Sequence, residues 1–238
     1  MLRNSKEMLG VKRNPGKVTV LGSNTETKQA EIIAGIILKM NQHERLETAV
    51  LYRTNNEAQR LISTLIKYKI KFTLTDKSYN FFNLEVCRDI AAYFRLTENP
   101  CCRESFIRIL NKPPRYISKT KIGKINSSSF SRNWFSFLME LPDMKPEQLK
   151  LIHKFEKKVR KIKLMPPEKA LEYILKSIGY MECIKEHQMD ILNELREICE
   201  NFSTITEFLN HIDDYRYEIS NEEPGVVLST IHGVKGLE

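Results

Sequence analysis

The chain has 238 residues, 41% apolar and 29% charged, the balance of a globular protein long enough for one large or two small domains with a substantial core. With 38 Lys and Arg against 30 Asp and Glu, the net charge is +8. This points to a polyanionic partner, nucleic acid first and an anionic membrane surface second, although a merely solvated basic surface has the same composition. No apolar run approaches the ~20 residues of a membrane span, and the basic N-terminus from Met1 to Lys6 lacks the apolar core of a secretion signal. The five cysteines, Cys87, Cys101, Cys102, Cys183 and Cys199, form no CxxC pair and no His/Cys spacing of a zinc site. Reduced thiols and a cytoplasmic location are expected, with no metal site.

Residues 1–16 read as the tail of a helix and a loop ending at Asn14-Pro15-Gly16. Lys17 to Leu21 alternates with β-branched residues and predicts a strand. Thr25 to Met40 carries Ala30, Ile33, Ile37 and Met40 at helical spacing behind a Ser/Asn/Thr cap cluster. Thr48 to Tyr52 predicts a short buried strand, Asn55 to Tyr68 an amphipathic helix with Ala58, Leu61, Ile62 and Leu65 on one face, and Phe72 to Thr75 another strand. This alternation implies an α/β unit with a parallel sheet flanked by helices.

After about residue 85 the pattern changes. Val86 to Leu96 predicts a helix with Ile90, Tyr93 and Phe94 inward, and further helices are suggested at 102–111, 119–126, 131–140, 145–163, 167–178, 188–201 and 204–217. Pro146 and Pro167 suit first helical turns. Strand character returns only at Val226, after Glu222-Glu223-Pro224-Gly225, so a helical block of about 125 residues interrupts the sheet-forming sequence. It reads as an all-helical domain inserted into an α/β domain, with divisions at 1–96 and 223–238 against 97–222.

The phosphate loop GxxxxGK[ST] is absent, as is a strand ending in paired acids that could hold magnesium. This chain alone is therefore not expected to hydrolyse nucleotide. Arg53 follows a buried-strand pattern directly, where ligands sit in open α/β sheets, and its planar fork suits a phosphate oxygen; the bland alternative is a surface ion pair. Phe81 and Phe82 read first as core packing. The turn from Asn111 to Thr120 gathers Lys112, Arg115 and Lys119 around two prolines, a setting that suits phosphate. The run from Lys154 to Lys163 reads as a solvated helix face, with weak phosphate attraction the alternative.

Two segments carry a resemblance: Tyr52-Arg53-Thr54-Asn55, and Thr230-Ile231-His232-Gly233-Val234-Lys235-Gly236-Leu237-Glu238, about 170 residues later. In that order, with a helical block between, they resemble two motor motifs of the UvrD/Rep-type superfamily 1 DNA helicases. The stretch around Phe81, Phe82, Asp89, Ala92, Tyr93, Arg95 and Leu96 is similar to a further family segment, with Asp76 and Lys77 in place of its two glycines. Asn111, Pro113, Arg115, Ile117 and Thr120 match an element that touches duplex DNA in the family, with Tyr116 and Ser118 in place of its glycines.

The resemblance implies a partial second RecA-like motor domain with a helical insertion, from a helicase or translocase that uses ATP and Mg2+ to move on single-stranded DNA and unwind duplex. Arg53 would be an arginine finger on the γ-phosphate, and the family's second arginine falls at Gln59, with Arg60 displaced by one position. Glu238 would bind the nucleotide ribose. Thr230 and His232 would contact single-stranded DNA, and Lys112, Arg115, Lys119 and Thr120 duplex DNA. Family members continue beyond the position of Glu238, so the sequence is expected to be a piece of a motor. Its partners would be single-stranded and duplex DNA and the first motor domain of the same parent, with no membrane. A non-enzymatic DNA-binding or regulatory module derived from a helicase is the alternative.

Overall fold

The computed structural model describes residues 16–76, 80–129, 132–221 and 223–234, without the side chains of residues 55 and 56. The predicted helix tail at the N-terminus lies almost entirely outside them. Helix α1 spans Glu26–Leu38, where the Thr25 hydroxyl caps it by accepting from the Lys28 amide at 3.1 Å, and it buries Ala30, Ala34 and Ile37. A short helix α2, Gln42–Leu46, closes with a capping box between Asn41 and Glu44. Strand β1 (Ala49–Tyr52), helix α3 (Asn55–Lys67) and strand β2 (Phe72–Leu74) follow.

The chain returns to the sheet only at strand β3, Val226–Thr230, which inserts between the other two in the order β1-β3-β2, parallel to both. The approach is tight at Gly225: a Cβ there would sit 2.2 Å from the Lys71 carbonyl oxygen, so only glycine lets β3 start beside β2.

Two strand expectations are corrected. Residues 17–21 form no strand; Val18 and Val20 are 89% and 90% exposed. Alternation makes a strand only where a ladder accepts it, and among the described residues none pairs with this segment. β1 is also not the buried strand expected. It lies at the sheet edge, with only Tyr52 buried and Leu51 48% exposed, because one flank has no neighbouring strand among the described residues.

Helix α4, Glu85–Glu98, is the spine between the sheet and the helical block. Ile90, Ala91, Tyr93 and Phe94 are all buried, and it packs on α5 (Arg103–Ile109), α8 (Pro146–Ile162), α10 (Met189–Cys199) and α11 (Ile205–Ser220). Helices α6 (Lys119–Ser127), α7 (Trp134–Met139) and α9 (Pro167–Tyr173) complete the block. α9 does not run on to residue 178 as one α-helix. Its continuation, Ile174–Ile178, shifts to a π-type turn, and Gly179 at φ +95° ends it.

One core cluster runs from Phe72, Leu74, Val226 and Leu228 in the sheet through α4 to Trp134, Phe155 and Phe208. Phe81 and Phe82 are core residues, with Phe82 edge-on to Phe208, His211 and Tyr215. Among the described residues no helix is long and apolar enough to cross a membrane.

Candidate nucleotide and nucleic-acid interface

The parallel register sets Tyr52 opposite Thr230, and the Ile231 amide donates to the Tyr52 carbonyl at 2.9 Å. Arg53 and His232 therefore leave the C-terminal edge of one sheet from adjacent strands. Arg53 is exposed; its backbone amide donates to Glu57 Oε2 at 3.0 Å, which anchors the start of α3, while its guanidinium has no partner among the described residues. The Thr230 hydroxyl and carbonyl oxygens both accept from the Gly233 amide, at 3.0 and 2.9 Å, folding a tight turn that leaves His232 exposed. A Cβ on Gly233 would meet Ser229 Oγ at 2.9 Å, so glycine permits this fold-back.

β2 joins the same edge, where the Thr75 hydroxyl donates to the buried Ser229 Oγ at 2.7 Å. Burial, and then the nearby charge of Asp76, raises the Tyr52 phenol pKa. Glu238, the expected ribose ligand, lies outside the described residues.

A cleft of about 330 Å3 opens beside β1 between α1 and α3. Arg60 borders it, but its guanidinium is consumed by Glu26 at 3.2 Å, Glu194 at 2.9 Å and Glu197, tying α3 to α1 and α10. Gln59, at the position of the family's second arginine, is fully buried and donates to Ser63 Oγ at 3.2 Å. Neither residue reaches the sheet edge as a free cation.

The turn from Asn111 to Thr120 is built differently from a phosphate cradle. The Asn111 side chain organises it, with Oδ1 accepting from the Ile117 amide at 3.1 Å and Nδ2 donating to the Ile117 carbonyl at 2.8 Å. Arg115, expected on DNA, is only 5% exposed. Its Nη1 donates to the carbonyls of Ile109, Leu110 and Pro113 at 2.9, 2.8 and 3.2 Å, and its guanidinium lies 3.5 Å from the Phe155 ring centroid. It is a structural brace, and its burial lowers its pKa.

Lys112 is likewise not free for phosphate. Its ammonium pairs with Asp89 at 2.6 Å and Glu85 at 3.0 Å, and these hydrogen bonds outweigh burial to raise its pKa, while Lys112 in turn lowers that of Glu85. Lys119 and Thr120 do stand exposed, in the first turn of α6. Beside them Tyr116 is 79% exposed with φ +58°, in the left-handed region that its glycine counterpart would occupy without strain.

The Lys112 contacts belong to a hub that sequence reasoning missed. Asp89 is fully buried and takes Arg108 Nε at 2.6 Å, Lys112 Nζ at 2.6 Å and the Tyr180 hydroxyl at 2.6 Å. Its sequence signal was an aspartate on the apolar face of a helix, one position before Ile90; a charge there needs partners. A second, half-buried polar contact, His211 against Ser63 Oγ at 3.3 Å, packs α11 on α3.

The structure thus brings to one sheet edge Arg53 and His232, from the two segments that carry the helicase resemblance. The comparisons agree. The family model of the UvrD-like helicase C-terminal domain matches residues 3–220. The Bacillus subtilis protein YjcD is 29% identical over 203 residues, 80% of this chain and 26% of its own length. ATP-dependent DNA helicase PcrA of the same organism is 24% identical over 255 residues, 93% of this chain and 34% of its own. ATP-dependent DNA helicase Rep of Escherichia coli is 23% identical over 261 residues, 93% and 38% respectively. The chain belongs to the UvrD-like helicase C-terminal domain family. It spans between 26% and 38% of the length of these three relatives.

Proposed function

We propose that this chain supplies the second RecA-like motor domain, residues 1–96 and 223–238, and its helical insertion, residues 97–222, to an ATP-dependent DNA helicase that moves on single-stranded DNA and unwinds duplex. The observation that carries the reading is the β1–β3 register, which sets Arg53 and His232 on one sheet edge. In this reading a first motor domain of the same parent holds ATP and Mg2+. Arg53, exposed beside that edge, reaches the γ-phosphate across the interface, and Glu238 binds the ribose. Thr230 and His232 meet single-stranded DNA, so one short strand end senses both nucleotide and DNA. Lys119 and Thr120 contact duplex phosphates.

The test is Arg53→Ala in the full-length parent, read by single-turnover ATP hydrolysis at saturating DNA beside a thermal melt. A finger stabilises charge that develops in the transition state, so turnover should fall by roughly 10³–10⁵ while nucleotide affinity changes little. Arg53→Lys should rescue poorly, since it lacks the planar fork. An unchanged rate per folded molecule would reduce Arg53 to a surface arginine and leave a non-catalytic DNA-binding module as the reading.

A further inference from the structure

Helix α8 presents Lys150, Lys154, Lys157 and Lys161, all exposed, at spacings of four, three and four residues. That spacing places them in one stripe. The opposite face buries Ile152, Phe155, Val159 and Ile162 against the core. Among the described residues none of the four lysines has a carboxylate within ion-pair distance. Of the helix's own acids, Glu156 is buried and paired with Arg160 at 2.7 Å, and Glu147, exposed in the first turn at the head of the stripe, forms no ion pair with Lys150.

An ordinary solvated helix face mixes signs, and like charges three and four residues apart oppose the helix. This helix carries that repulsion from Lys150 to Lys161. In the neighbouring turn Lys112 is neutralised and Arg115 is buried, so that only Lys119 stands exposed there, whereas the whole α8 stripe is left available.

We propose that the α8 stripe is a binding surface for the phosphate backbone of duplex DNA. The stripe is about 16 Å long, at 1.5 Å per residue, and phosphates follow one another by about 3.4 Å of axis on each strand of a duplex. Because the phosphates of each strand also wind about that axis, a straight row of four ammonium groups on flexible stems faces the few phosphates on its own side of the duplex, without bending either partner. A helix held rigid by its core face matches a regular duplex better than a flexible single strand. Such contacts position DNA without reading its sequence. The inference rests on the reading of the chain as a DNA motor, but on a surface separate from the sheet edge.

The test compares the wild-type chain with the quadruple variant Lys150→Gln, Lys154→Gln, Lys157→Gln, Lys161→Gln. A control carries Lys17→Gln, Lys39→Gln, Lys67→Gln and Lys169→Gln, which removes the same charge from other exposed positions. Labelled duplex of mixed sequence, the matching single strand and phosphatidylserine vesicles are titrated at several salt concentrations, with circular dichroism to confirm folding. The stripe variant should lose up to about 3–4 from the slope of log affinity against log salt for duplex. Between about 50 and 200 mM salt the wild type should then lose roughly 10²-fold more affinity than the variant. The control should keep most of the wild-type slope.

An equal loss in the control, or an unchanged slope in the stripe variant, overturns the proposal. A variant that loses vesicle binding but keeps duplex binding overturns it in favour of a membrane surface. A wild-type chain that binds no DNA even at low salt overturns both this proposal and the DNA-motor reading; one that binds DNA indifferently to the stripe overturns only this one.

Discussion

Arg115 separates a phosphate contact from an internal brace. The perturbation is Arg115→Met, which keeps length and apolar stem while removing the guanidinium. Three carbonyls lie 2.8–3.2 Å from its Nη1, which has only two protons, so two full bonds' worth of donation is lost. Leaving two buried carbonyls without a donor costs about 1–3 kcal/mol each. Losing the stacking on Phe155, at 3.5 Å, costs about 1 kcal/mol more.

Relief from burying the charge offsets part of this, and a net destabilisation of about 3–5 kcal/mol is expected, a large share of a domain's ordinary stability. With a urea slope of about 2–3 kcal/mol per molar the midpoint should fall by about 1–2 M. Urea unfolding followed by circular dichroism measures this, and duplex titration of the folded variant runs beside it. A variant with the wild-type midpoint and a lost duplex affinity would refute the reasoning and restore Arg115 as a DNA contact.

Two further predictions concern a half-buried histidine and a pair of glycines. Burial of His211 among Ser63, Phe82, Phe202 and Tyr215 pulls its pKa down to about 4, with Asp214 opposing only in part. An unfolded histidine titrates near 6.5, so in the interval between the two values the unfolded state binds the extra proton. Stability is therefore complete above about pH 6.5 and falls as the pH drops towards 4, by up to about 3 kcal/mol. Urea midpoints at about pH 4.5 and 7.5 should differ less in His211→Gln than in wild type; an equal difference would show that His211 is not the source. Gly225→Ala should destabilise by about 3 kcal/mol, since its Cβ would meet backbone on Lys71 and Phe72 that has no room to yield. Gly35→Ala, in α1 with open space around it, should instead stabilise by about 0.5–1 kcal/mol, and thermal melts of the two variants with the same sign would contradict this.

Sequence patterning reads well where one element decides its own fate. The helices of the block were legible because Phe155, Val159 and Ile162, or Phe208, Ile212 and Tyr215, recur at helical spacing and are buried. Patterning fails where a neighbour decides. Residues 17–21 have strand chemistry but no ladder among the described residues, and β1 has buried-strand chemistry at a sheet edge. At the candidate site, the juxtaposition of Arg53 with His232 was legible only through the resemblance, since about 180 residues separate them in the chain. The sequence also showed that Lys112 and Arg115 are cations in one turn. It did not show that Asp89, more than 20 residues earlier, holds the first, or that three carbonyls hold the second.

The fate of these cations bears on where DNA can be held. A charged side chain contributes to binding only in so far as its charge is not already answered inside the protein. Arg60, Arg108 and Lys112 are answered by Glu194, Asp89 and Glu85, and Arg115 by main-chain oxygens and an aromatic ring. These contacts fasten α3 to α1 and α10, and α4 to α5 and the turn after it, so a phosphate that recruited any of those cations would have to break an internal brace. Cations with no such duty include Arg53 at the sheet edge, Lys119 at the start of α6 and the lysine stripe of α8. The 38 Lys and Arg thus include braces that set the shape of the block and exposed cations left to face a polyanion. That division is why affinity for DNA should respond to α8 while stability responds to Arg115.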